Sequence, residues 1–217
     1  MVAVPRPIPT LILHMTRIER LASIVTHGLL PESECRRRQV AGIEIGYPHI
    51  KDRRAQTPVP CGPRGTLADY VPFYFAPRSP MLYAIGSGQL SDEASRTERI
   101  IYLVSTTERV DQSGLSRVIS DRHPALAYAR FTDQDQDLQD DSFVDWQLMF
   151  QTYWNNTPDE PDRKERRQAE YLVHPHVPWS LFDRIVTKTE EMAIEVRAVL
   201  GSLDTQAAIY VRRGWYF

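Results

Sequence analysis

Apolar residues in this chain arrive in short runs whose period keeps changing, and the changes separate strands from helices. Thr10–His14 reads as a short strand. Ile18, Leu21, Ile24 and Val25 then fall on one face at helical spacing, with Thr16 and Glu19 three apart as an expected capping box and Gly28 as the stop. The stretch 32–69 is polar and rich in Gly and Pro, with a short helix expected near 49–55; a connection that long inside one domain is usually functional. Val71–Phe75 is an aromatic strand, and Ser79-Pro80 opens a helix through Met81, Leu82 and Ile85. Ile100–Val104 is the clearest buried strand, followed by a short helix near 106–113 and a strand near 117–119. Residues 142–154 carry Phe143, Trp146, Phe150, Tyr153 and Trp154 at a spacing that predicts an amphipathic helix. Ala169–Val173, Ile185–Thr187 and Ile209–Val211 read as strands, with a helix at 190–200. Strands and helices mix without a regular βαβ beat, so the expected class is α+β.

Length adds that 217 residues suit one domain, 1–217, with a full core. No run approaches the roughly 18–20 apolar residues of a membrane span, and the opening Met-Val-Ala-Val-Pro-Arg-Pro does not read as a signal peptide. Cys35 and Cys61 lack metal or disulfide-framework spacing, which makes a reducing cytoplasm the expected location and no metal the expected state. His174 and His176 are split by a proline, the mark of an extended segment more than of a zinc pair.

Net charge is −2, which by itself argues against a nucleic-acid partner. The distribution changes that picture. Residues 131–160 hold eight acidic side chains and no Lys or Arg, so the rest of the chain carries +6 (−2 plus 8). Arg36-Arg37-Arg38, Lys51-Asp52-Arg53-Arg54 and Arg163-Lys164-Glu165-Arg166-Arg167 would supply a basic face, or else simply solvated surfaces.

The usual nucleotide motifs, GxGxxG and GxxxxGK[ST], are missing, as is GxSxG. What remains is His14-Met15-Thr16 at the end of a strand, Phe73-Tyr74-Phe75 leading to a Ser-capped helix, and Glu170 interrupting a hydrophobic strand. Alone, each has an ordinary structural reading: a satisfied histidine, a core tyrosine, a solvated strand start. In order, with the longer strings Asp69-Tyr70-Val71-Pro72-Phe73-Tyr74-Phe75, Pro77-Arg78-Ser79-Pro80-Met81-Leu82-Tyr83, Asp121-Arg122-His123 and Gln168-Ala169-Glu170, they resemble the DarT family of ADP-ribosyltransferases over nearly the whole chain.

The resemblance implies two facing, mostly antiparallel sheets split by an NAD-binding cleft. It also implies a toxin, part of a toxin–antitoxin pair, that transfers ADP-ribose from NAD to thymidine in single-stranded DNA. NAD would be a co-substrate and no cofactor would be needed; the partners would be single-stranded DNA and a macrodomain antitoxin. His14, Thr16, Gly28, Arg54 and Tyr74 would hold NAD, with Glu170 and Arg54 catalytic and Arg53, Arg78, Arg122 and His123 on the DNA. The chemistry fits those types: the nicotinamide–ribose bond breaks through an oxocarbenium-like state that a fixed carboxylate stabilises. Arginine is a poor base, so Arg54 suits a developing thymine anion better than it suits removal of the N3 proton. Arg53 is the other arginine open for that place, and another base, RNA or protein is the alternative acceptor.

Overall fold

The computed structural model describes residues 4–39, 48–87, 97–140, 142–201, 203 and 207–217. Its frame is one mixed sheet of eight strands: β1 (Leu11–Arg17), β2 (Val71–Tyr74), β3 (Ile100–Thr106), β4 (Ser116–Ser120), β5 (Phe131–Thr132), β6 (Glu170–His174), β7 (Arg184–Thr187) and β8 (Ala208–Val211). The order across the sheet is β5-β4-β6-β2-β1-β3-β7-β8, antiparallel except for the β7–β8 pair. The class is α+β, as the chain pattern predicts. The two expected sheets are hydrogen-bonded into one, but their junction is narrow: β1 meets β2 at the single registered pair Leu13↔Tyr74. Pro72 accounts for the break. It lacks a backbone N–H, and its carbonyl is taken by the His14 ring (Nδ1···O 2.8 Å) instead of by a β1 backbone amide. Beyond Leu13 the two halves of the sheet part, and the cleft opens there.

Eight α-helices are described: α1 (Leu21–His27), α2 (Glu32–Arg37), α3 (Pro48–Gln56), α4 (Pro80–Gly86), α5 (Thr107–Gln112), α6 (Trp146–Met149), α7 (Arg163–Arg166) and α8 (Glu190–Leu200). β3 is buried at all seven positions, which explains its unbroken apolar run: Ile101 and Leu103 join the core under α1 and α8, and Tyr102 and Val104 join a second core against α4. Ser79 caps α4 as expected, its hydroxyl accepting from the Leu82 N–H at 3.2 Å.

Three local expectations need correction. Thr16 is not a cap; β1 runs on through it, and Glu19 instead pairs with Arg17 and Arg99. The capping box lies at Thr66 and Asp69, where Asp69 accepts from the Thr66 N–H at 2.7 Å. The helix expected over 142–154 is one turn, α6. Buried Arg167 donates to the carbonyls of Leu148, Met149 and Gln151, diverting acceptors that a longer helix would need. Trp146 and Trp154 stay buried while Phe150 and Tyr153 face solvent. The polar stretch 32–69 is also more ordered than expected, since α2, absent from the sequence reading, precedes α3; residues 40–47 between them lie outside the described residues.

The charge clusters are mostly spent within the fold. Arg36, Arg37 and Arg38 pair with Glu32 and Glu34, and Arg163 and Arg166 pair with Glu160, Asp162 and Asp145. Asp135 of the acidic segment binds Arg117 at 2.9 Å. Asp141 lies outside the described residues.

Candidate active site

A cavity of about 320 Å³, at the small end of ligand pockets, occupies the cleft where β1, β2 and β6 meet. His14, Thr16, Arg54, Tyr74, His123 and Glu170 all line it, although they come from five separate parts of the chain. Register explains part of the convergence. Tyr74 and Glu170 are direct cross-strand partners, and His14 follows the residue paired with Tyr74. Phe73 and Phe75 point into the core on either side of Tyr74, as strand alternation requires, leaving Tyr74 to the cleft.

Glu170 is 2 % exposed, and its carboxylate is matched by Arg54 of α3, whose Nη1 donates to Oε1 at 3.1 Å and to Oε2 at 2.9 Å. The other terminal nitrogen of Arg54, Nη2, is buried without a partner among the described residues. A buried charge pair with an unused donor is poised for one more acceptor at that point. The Glu170 backbone N–H is held by the Ser120 hydroxyl at 3.1 Å, which ties the carboxylate-bearing strand to β4.

The two histidines are fixed in opposite tautomers. Burial, with smaller contributions from the charges of Arg20 and Arg54, lowers the His14 pKa to about 4 and keeps the ring neutral. Its Nδ1 must carry the proton, because the Pro72 carbonyl can only accept; Nε2 is therefore a free acceptor. Burial also lowers the pKa of His123, helped by the charges of Arg54 and Arg53 and opposed by that of Glu170. Its Nδ1 accepts from the Ala125 N–H at 3.2 Å, so its proton sits on Nε2 as a donor. The Tyr74 hydroxyl approaches Met81 Sδ at 3.7 Å, and burial holds its pKa above the ordinary tyrosine value.

Other expected site residues lie around the cavity rather than in its wall. Gly28 ends α1 at φ 76°, and a Cβ there would stand 2.8 Å from the Val177 carbonyl; the glycine lets Leu29 pair with Val177, which sets Leu29, Leu30 and Pro31 against the cavity. Arg53 is exposed on α3. Arg122 is held by Asp121, Asp162 and Glu165 and lies over the Tyr128 ring. Arg78 is turned to the C-terminal segment, donating to the Tyr216 carbonyl at 2.8 Å and stacking on Phe217. Lys51 and Met81, read from the sequence only as part of a basic cluster and of a helix and its motif, line the cavity too, and so does Arg20, which was not singled out from the sequence. Arg20 in particular reads there as one of several charges at a helix start, and only folding brings it beside His14. Among the described residues, no cluster of three His, Cys, Asp or Glu could hold a metal, and no helix is long and apolar enough to cross a membrane.

Comparison with known proteins agrees with this geometry. A DNA ADP-ribosyl transferase from Thermus sp. (strain 2.9) is 38% identical over 214 residues, covering 97% of this chain and 98% of the relative. The solved structure of Thermus sp. 2.9 DarT in complex with ADP-ribosylated ssDNA superposes with a TM-score of 0.91 at 36% identity over 100% of both chains. The same protein in complex with NAD+ gives 0.83 at 34% identity, covering 97% of this chain and 99% of that one. The family model described as "ssDNA thymidine ADP-ribosyltransferase, DarT" matches residues 13–217. A carboxylate–guanidinium pair and a neutral histidine at the split of the sheet are thus found in a chain that belongs to the DarT family.

Proposed function

We propose that this protein transfers ADP-ribose from NAD to thymidine in single-stranded DNA. The observation that carries the reading is the Arg54–Glu170 pair, set in the cavity wall with the acceptor nitrogen of His14 and the ring of Tyr74. His14 Nε2 accepts a hydroxyl of the adenosine ribose, with Thr16 beside it, while Tyr74 flanks the nicotinamide. As the bond between nicotinamide and ribose breaks, positive charge grows on the ribose, and Glu170 stabilises that charge more than it stabilises bound NAD. Nicotinamide leaves with the bonding electron pair and is neutral.

The thymine N3 then bonds to the anomeric carbon and gives up its proton. The Arg54 Nη2 donor, unused among the described residues, stabilises the developing thymine anion, and Glu170, held against that guanidinium, receives the proton. His123 presents its Nε2–H to a carbonyl oxygen of the base, and exposed Arg53 contacts a phosphate, which positions a strand without specifying it. Arg78 and Arg122 are left out of this set because Arg78 Nη1 is turned to the Tyr216 carbonyl and its guanidinium lies over Phe217, and Arg122 is paired with Asp121, Asp162 and Glu165. Duplex DNA is a poor substrate on this reading, since N3 is engaged in the base pair.

A thymine that carries ADP-ribose on N3 cannot pair, which makes the protein a toxin to a replicating cell and calls for an antitoxin that removes the mark, a macrodomain protein in this family. Its action belongs in the cytoplasm, where NAD and replicating DNA are found together. Incubating the protein with NAD and a thymidine-containing single-stranded oligonucleotide tests the reading. An added ADP-ribose mass on thymidine supports it; transfer only to RNA or protein would assign a different acceptor.

A further inference from the structure

Arg20 is a cation in the cavity wall that the proposed reaction leaves unused. It stands at the N-cap of α1, where its side chain makes no capping bond. Its Nε is buried without a partner, and among the described residues no carboxylate pairs with it. Arg54, by contrast, is matched by Glu170. Arg20 is half-buried, so its guanidinium borders the cavity as an unpaired charge that an entering anion can match.

The charges also have an order. Arg20 follows β1, the strand that carries His14, while Glu170 lies on β6, on the far side of Tyr74 from β1, and is held there by Arg54. Arg20 therefore sits at the His14 side of the cavity, and the carboxylate at the β6 side. This arrangement suits a ligand with a cationic ring at one end and an anionic linkage set back from it by one sugar, which is the charge pattern of NAD.

We infer that Arg20 is the anchor for the pyrophosphate of NAD, binding it next to the ribose that His14 holds. This rests on the proposed use of NAD and adds a residue to it. Arg20 is a binding residue, not a catalytic one: the pyrophosphate keeps its charge throughout the reaction, so its contact is worth the same before and at the transition state.

The test uses Arg20→Gln and Arg20→Lys in the full chain. Neither removes a hydrogen bond that the Arg20 side chain makes among the described residues, so thermal unfolding should match the parent. With Arg20→Gln, affinity for ADP-ribose should fall by ~10–100-fold, the usual effect of losing a charge-assisted bond, while affinity for adenosine is unchanged. Arg20→Lys should restore part of the loss. The KM for NAD should rise while kcat stays within a few-fold. Added salt should weaken ADP-ribose binding less in Arg20→Gln than in the parent. Equal losses for adenosine and ADP-ribose, or a loss confined to the oligonucleotide, would overturn the assignment. Failure to modify DNA alongside the expected ADP-ribose losses would instead reject the acceptor and leave the anchor standing.

Discussion

Replacing Glu170 by Gln removes one charge and almost no volume, so it separates what the carboxylate does from what it fills. In the parent, both oxygens accept from Arg54 Nη1, and the Arg54 and Glu170 side chains are 12% and 3% exposed. Removing one partner of a fully buried pair costs about 3–5 kcal/mol. Here the Gln oxygen keeps one bond to Arg54 and the guanidinium borders an open cavity, so the cost to stability should be nearer ~1–3 kcal/mol, scaled down from that range. Turnover should suffer more, by about 10²–10³-fold, the effect of removing one electrostatic stabiliser of a transition state. Urea denaturation gives the first quantity and the rate of oligonucleotide modification gives the second. Arg54→Met completes a double-mutant cycle. The double variant should be less destabilised than the two single losses added together, because neither charge is left alone. Its rate should be no lower than that of the worse single variant, since the two groups act as a unit. A Glu170→Gln protein that is stably folded and turns over within tenfold of the parent would refute the catalytic role.

Three further outcomes follow from the same geometry. The folded-state pKa of His14 is depressed from 6.5 to about 4, so the unfolded chain takes up a proton that the folded chain refuses between those values. Its contribution to stability is present above pH 6.5 and is lost as pH falls toward 4, and ADP-ribose affinity measured against pH should hold to near 4; a half-loss at 6.5 would contradict the buried neutral ring. Gly28→Ala should cost about 1–3 kcal/mol, the range for strained backbone, because φ is 76° and the new Cβ would meet the Val177 carbonyl; an unchanged urea midpoint would argue against that strain. Arg78→Ala should lower stability by about 1–3 kcal/mol through loss of a charged hydrogen bond, with no change in the salt dependence of oligonucleotide binding. A salt slope reduced by ~0.7 with stability intact would show Arg78 to be a phosphate contact instead.

Local chemistry was legible in the sequence wherever a short segment could satisfy itself. Ser79-Pro80 starts α4 because the hydroxyl and the proline act within one turn, and Gly28 was legible as the stop of α1 because its φ of 76° and its N–H bond to the Ile24 carbonyl are local, whatever else Val177 demands of it. The β3 run was legible for a related reason, since seven buried positions leave no polar face to obscure it. Local rules failed where a distant group intervened. Arg167 takes the carbonyls that would have prolonged α6, and Thr16 is drawn into a strand by pairing with Ile101. His14, Tyr74 and Glu170 could be named from their order along the chain, by resemblance to a family. Their meeting point depended on tertiary structure: Pro72 stops the β1–β2 ladder, Tyr74 and Glu170 come into register, and α3 delivers Arg54 to the carboxylate. The sequence by itself determined which segments could be strands and helices and which side chains could do chemistry. Only the tertiary structure decided which charges are spent on one another and which atoms, like Arg20 Nε and Arg54 Nη2, are left without a partner among the described residues, because that depends on groups far away in the chain.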